Sequence, residues 1–163
     1  MHKRHFCIVS ACISAVIIIL SMFFGYKGIN VLIRAALDGA ACITIGCLMV
    51  YIFSFVMERE RLPVKFGVLA VGIILIVIGL RLELMTVKDV REGPKSMTFY
   101  VSDITSRSGI HGITGLRYYL KGTDSEGESK VFPLPYFEHN HISEGTALKI
   151  EYYENINRII RLD

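Results

Sequence analysis

Nineteen consecutive residues, Phe6 to Phe24, carry no charge, and a second uncharged run of nineteen extends from Gly39 to Met57. A helix of that length measures about 28 Å, close to the ~30 Å hydrocarbon core of a bilayer. A third run, Phe66 to Leu80, is shorter. It is flanked by Lys65 and Arg81, whose snorkelling extends the span from Val64 to about Leu84. Three such runs in a chain of 163 residues exclude a single soluble globule, a disordered chain and a disulfide miniprotein. The expectation is an α+β membrane protein with helices near 6–25, 31–57 and 64–82.

The overall composition, 52% hydrophobic with a mean hydropathy of +0.47, conceals two unlike halves. Met1 to Leu80 holds seven Lys/Arg against three Asp/Glu, whereas Arg81 to Asp163 holds eleven against twelve. The basic surplus therefore belongs to the membrane half, where Lys and Arg set topology. The second half has no clustered basic field of the kind nucleic acid requires, so no nucleic-acid partner is expected.

Met1-His-Lys-Arg-His5 resembles the basic start of a signal peptide, but no small-residue cleavage site follows the apolar run. Val9-Ser-Ala-Cys12 resembles a lipoprotein box and comes too early, so an uncleaved helix is expected. The N-terminal tail and the second loop carry Lys3, Arg4, Arg59, Arg61 and Lys65, against Lys27 and Arg34 around the first loop. That imbalance predicts a cytoplasmic N-terminus in the cell membrane and an extracytoplasmic C-terminal domain. Arg81, Lys88, Arg91 and Lys95 pull the other way. Asn30 suits the N-cap of the second helix, and Arg34 and Asp38, four apart, share a helix face and can pair. Small residues recur four apart, notably Ala35 with Gly39 and Ala36 with Ala40, a spacing that lets helices approach closely or form a homo-oligomer, and Ala36, Gly39 and Ala40 are the expected packing residues. All four cysteines lie in the apolar runs, which leaves no disulfide framework or thiolate metal site in the second half.

Residues 83–95 read as a mixed-charge connector, broken at Gly93-Pro94. Residues 96–163 then show five β-like stretches: Met97 to Ile104, Ile113 to Lys121, Lys130 to Leu134, Ala147 to Glu154 and Ile156 to Leu162. Period-two alternation in them predicts one packed face and one wet face. Gly122 to Gly127 reads as a hairpin loop, Asn155 as a tight turn, and Pro135 to Ser143 as a short helical insertion. The order β-β-β-helix-β-β is that of a small five-stranded OB-like β-barrel. Its expected core is Phe99, Val101, Leu116, Tyr118, Leu120, Phe132, Leu148, Ile150, Tyr152, Ile160 and Leu162.

The stretch Ile142-Ser-Glu-Gly-Thr-Ala-Leu-Lys-Ile-Glu-Tyr-Tyr153 resembles the closing strands of OB-like domains in small bacterial membrane proteins, and the layout resembles that of short NfeD-like proteins. That resemblance implies a scaffold in membrane quality control rather than catalysis.

No nucleophile elbow, phosphate-binding loop or dinucleotide fingerprint is present. No catalytic residue, cofactor or metal is expected. The nearest metal set is His139 and His141 with His111, Glu138 and Glu144, but a His-x-His pair on a helix splays its two rings. The contact residues expected instead are Arg107 and His111 on a loop from Thr105 to Gly112, with Tyr119 and Tyr153 on the wet parity of their strands. The leading expectation is a membrane-anchored, non-enzymatic β-domain that binds a protein, peptide or envelope ligand. The alternatives are a subunit of a larger membrane complex that works through its helices, and a hydrolase or metal enzyme built on His111, His139 and Glu138.

Overall fold

The computed structural model describes residues 2–24, 28–55, 62–108, 116–134 and 142–163. Among these, three helices are followed by five strands: α1 (His2–Phe23), α2 (Asn30–Phe55), α3 (Leu62–Glu92), β1 (Lys95–Ser108), β2 (Leu116–Asp124), β3 (Ser129–Leu134), β4 (Ala147–Tyr153) and β5 (Arg158–Leu162). The chain divides into two compact units. One holds α1, α2 from Leu32 and α3 as far as Lys88. The other holds residues 28–31, the last turn of α3 from Asp89, and the sheet.

In the helical unit, α2 and α3 are long and apolar enough to cross a membrane, and α1 contributes a shorter apolar stretch, Cys7–Phe23. Large apolar side chains point outward along all three helices, among them Ile19, Phe23, Ile33, Ile74 and Val77. A helix apolar on every side needs an apolar surrounding.

α2 and α3 run antiparallel, back to back on glycine. A Cβ added at Gly46 would lie 2.6 Å from the Gly72 carbonyl, and one at Gly79 would lie 2.7 Å from the Gly39 carbonyl. Phe53 and Phe66 meet farther along the same seam, with ring centroids 6.3 Å apart. Gly39 therefore packs within the chain, against Gly79 and the Glu83 carboxylate, and its neighbours Ala36 and Ala40 are half-buried. Between α1 and α2 the buried Ser14 hydroxyl donates to Thr44 Oγ1 at 3.1 Å, and Thr44 donates to the Ala41 carbonyl at 3.0 Å. Arg34 donates to the Phe24 carbonyl at 3.2 Å.

Where a connector is expected, α3 continues through residues 83–92. Leu82 to Glu92 contains no Gly or Pro, so nothing in it interrupts a helix. Gly93 ends the helix at φ 75°, donating to the Asp89 carbonyl at 2.9 Å, and Pro94 prevents continuation.

The sheet is antiparallel, in the order β3-β2-β1-β4-β5. β1 is long enough to pair with β2 along its second half and with β4 along its first, bending at a bulge at Ser102. The inner face buries Phe99, Val101, Leu120, Phe132, Leu134, Ile150, Tyr152 and Ile159, with Tyr118, Leu148 and Leu162 packed at the margin. Phe132 meets Phe99 and Tyr152 edge-on, at centroid distances of 5.6 and 5.2 Å. Of the expected core, Ile160 is replaced by Ile159, and the Leu116 side chain lies outside the described residues. β5 is bulged there: Glu151 pairs with Arg161 and Tyr152 with Ile159, so Ile160 is the extra residue and the alternation slips by one.

The expected closed barrel is an open sheet. No ladder joins β3 to β5 among the described residues. Pro133 on β3 offers no N–H, and on β5 the Ile160 carbonyl accepts from the Gly28 N–H at 3.4 Å. The β2–β3 hairpin is tighter than expected. Gly122 lies inside β2, and the turn is Ser125–Gly127, held by Asp124, whose Oδ1 accepts from the Glu126 and Glu128 N–H groups at 3.0 and 2.9 Å. The positive φ at the β4–β5 turn belongs to Asn157 (51°) rather than Asn155. The insertion expected over Pro135 to Ser143 falls mainly outside the described residues.

Candidate binding face of the sheet

The alternation that sends Phe99, Leu120 and Phe132 inward sends their neighbours outward, and the ladder registers align those neighbours into rows. Thr105, Tyr119 and Pro133 form one row across β1, β2 and β3. Asp103, Lys121 and Val131 form the next, and Tyr100, Thr123 and Ser129 a third. Tyr100 is 50% exposed and Val131 43% exposed. Tyr119 and Pro133 beside them are half-buried.

The polar centre of this face is organised around Asp103. Thr105 Oγ1 donates to its carboxylate at 2.7 Å and Lys121 Nζ at 3.2 Å. These two hydrogen bonds, Thr105 foremost, hold the Asp103 carboxyl below the usual carboxylate range. The face therefore presents an aromatic ring and a branched aliphatic group around a locally neutral pair, which suits contact with another polypeptide surface.

On the β4–β5 side the outward residues are charged. Ser96, Lys149, Glu151, Arg161 and Asp163 line a shallow hollow there. Arg161 Nε pairs with Asp163 at 2.9 Å, and Lys95 pairs with Glu154. The Glu154 hydrogen bond raises the Lys95 pKa. Opposite charges alternate, so no single-sign field develops.

Of the four expected contact residues, Tyr119 lies on this outer face. Tyr153 does not: it is 7% exposed. Tyr152 and Tyr153, consecutive on β4, are both covered, and burial, reinforced by the nearby Asp89 and Glu151 carboxylates, raises the Tyr153 pKa. Arg107 belongs to β1, opposite Arg117, rather than to a loop; its side chain and all of His111 lie outside the described residues. His139, His141 and Glu138 lie outside them too, and among the described residues no group of three His, Cys, Asp or Glu could hold a metal. The sequence reading missed Tyr100 and Val131. Both were signalled by parity, Tyr100 between the inward Phe99 and Val101, and Val131 beside the inward Phe132.

No family model, curated protein or solved structure matches the chain.

Proposed function

We propose that the chain is a membrane-anchored, non-enzymatic adaptor whose OB-like sheet domain binds a protein or peptide through the outer face of β1, β2 and β3. The observation that carries the binding role is the pairing of exposed Tyr100 and Val131 around the Asp103–Lys121 pair, on a sheet whose other face is a complete apolar core. The OB-like reading draws on the strand order, on a long bulged β1 shared between β2 and β4, and on the Asn157 Nδ2 bond to the Val131 carbonyl across the opening between β3 and β5. Anchoring draws on the length and apolarity of α2 and α3. The Gly28–Ile160 hydrogen bond agrees with it, because two crossings return the chain to the side from which it entered. The loop charges favour the extracytoplasmic side for the sheet.

Site-specific photo-crosslinking of the full chain in living cells tests this reading. A photoreactive residue at position 100 or 131 should give one adduct of common mass, and at 149 or 161 none. Adducts obtained only from outward helix positions such as Val77 would instead support the alternative, a subunit that works through its helices. The absence of any adduct at 100 and 131 would overturn the binding face.

A further inference from the structure

We propose that the β4–β5 turn, residues 154–157, is a strap that couples the end of α3 to the open edge of the sheet. Asp89, in the part of α3 that belongs to the sheet unit, is only 1% exposed. A carboxylate so deeply buried must be fully hydrogen-bonded. It accepts from the Asn155 N–H at 2.9 Å, from Asn155 Nδ2 at 2.8 Å and from the Ile156 N–H at 2.8 Å. Glu92, one turn on, lies 3.3 Å from the same Asn155 amide. The next residue after this grip is Asn157. Its left-handed backbone, φ 51°, is one that Asn tolerates, and its Nδ2 donates to the Val131 carbonyl of β3 at 3.0 Å.

Helix end and sheet edge are thus held by adjacent residues of one turn. Asn155 and Ile156 are both held by Asp89, so a shift there passes directly to Asn157. The edge it reaches has no ladder bonds of its own to β5 among the described residues. Loosening the Asp89 grip therefore releases the Val131 carbonyl and frays β3, and loosening Asn157 weakens the grip on Asp89 in return, since coupling between sites is reciprocal. The strap gives movement of the last turn of α3, from Asp89, a route to the width of the β3–β5 opening. It goes beyond the binding reading and does not depend on it.

Hydrogen exchange of the full chain in micelles tests the strap, read on peptides covering 129–134, 154–160 and the β1–β2 ladder. Asp89→Ala should speed exchange in residues 129–134 by roughly tenfold, within the 5–150-fold range of site-to-site coupling, and leave the β1–β2 ladder nearly unchanged. Asn157→Ala should speed exchange at Asn155 and Ile156. If Asp89→Ala does not fold, Asp89→Asn, which keeps one acceptor oxygen, should give the same pattern at smaller amplitude. Acceleration confined to 154–157, or spread evenly over every strand, would overturn the proposal.

Discussion

Close approach of α2 and α3 depends on which glycines meet backbone, and the structure ranks them. At Gly46 an added methyl lies 2.6 Å from the Gly72 carbonyl and 2.7 Å from Ile76 Cγ1; at Gly79 it lies 2.7 Å from the Gly39 carbonyl and from Ile43 Cγ1. These distances fall short of the ~3.5 Å contact optimum by nearly 1 Å, so the helices must part. At Gly72 the shortest approach is 3.1 Å, and at Gly39 the sub-3 Å contact is to the movable end of Glu83. Gly67 meets nothing within 4 Å. Overpacking costs about 1–3 kcal/mol, while replacing glycine by alanine in a helix gains about 0.8–1 kcal/mol. The Gly67→Ala chain should therefore be slightly stabilised. Gly46→Ala and Gly79→Ala should be less stable than Gly67→Ala by about 1–3 kcal/mol, because that difference isolates the overpacking cost. Gly72→Ala and Gly39→Ala should fall between. The assay is loss of helical circular dichroism of the full chain in mixed micelles as SDS is titrated. Equal shifts for Gly46→Ala and Gly67→Ala, or a larger loss at Gly72 than at Gly46, would refute the antiparallel glycine seam.

Two further predictions concern the sheet. At Gly122 an added Cβ would run into the Tyr100 carbonyl and lie 2.7 Å from the Phe99 ring, so Gly122→Ala should cost about 3 kcal/mol or more and lower the melting temperature seen in the near-ultraviolet tyrosine signal. In the β2–β3 turn, the hydrogen bond from Lys130, aided by the Glu128 and Glu126 N–H groups, lowers the Asp124 pKa. The stabilisation from a lowered carboxyl is complete above its unfolded value near 3.9 and is lost as pH falls through the folded value. Asp124→Asn should therefore melt lower at pH 7 and lose less on going to about pH 3 than the parent does; an equal loss would remove Asp124 from the acid response.

The architecture was legible wherever the pattern was regular. Three apolar runs give three helices, and alternation in residues 97–162 gives five strands, because burial on one face of a strand imposes period two. It failed where one residue is added. The bulge at Ile160 puts Ile159 in the core, and a bulge leaves no composition signal when both candidates are isoleucine. α3 outruns the apolar run because helix continuation needs only the absence of breakers, and charged Glu83, Lys88 and Glu92 do not break a helix. The glycine seam was half visible. Spacings of four show in the small residues of α2, whereas the seam runs on Gly39 with Gly46 and Gly72 with Gly79, which repeat every seven. Tyr119 follows from parity alone, but Asp89 as a buried grip on residues 155 and 156 has no local signature, since its partners lie more than sixty residues away.

The central claim, a sheet domain held outside the cell membrane by the helices, is tested most directly by labelling a single turn residue. Ser125 is exposed at the β2–β3 turn, and the native cysteines all lie on α1 and α2. In intact cells, or spheroplasts where an outer membrane is present, a membrane-impermeant maleimide should label the full chain carrying Ser125→Cys and leave the parent chain unlabelled. Labelling of Ser125→Cys only after lysis would place the sheet in the cytoplasm and contradict the account.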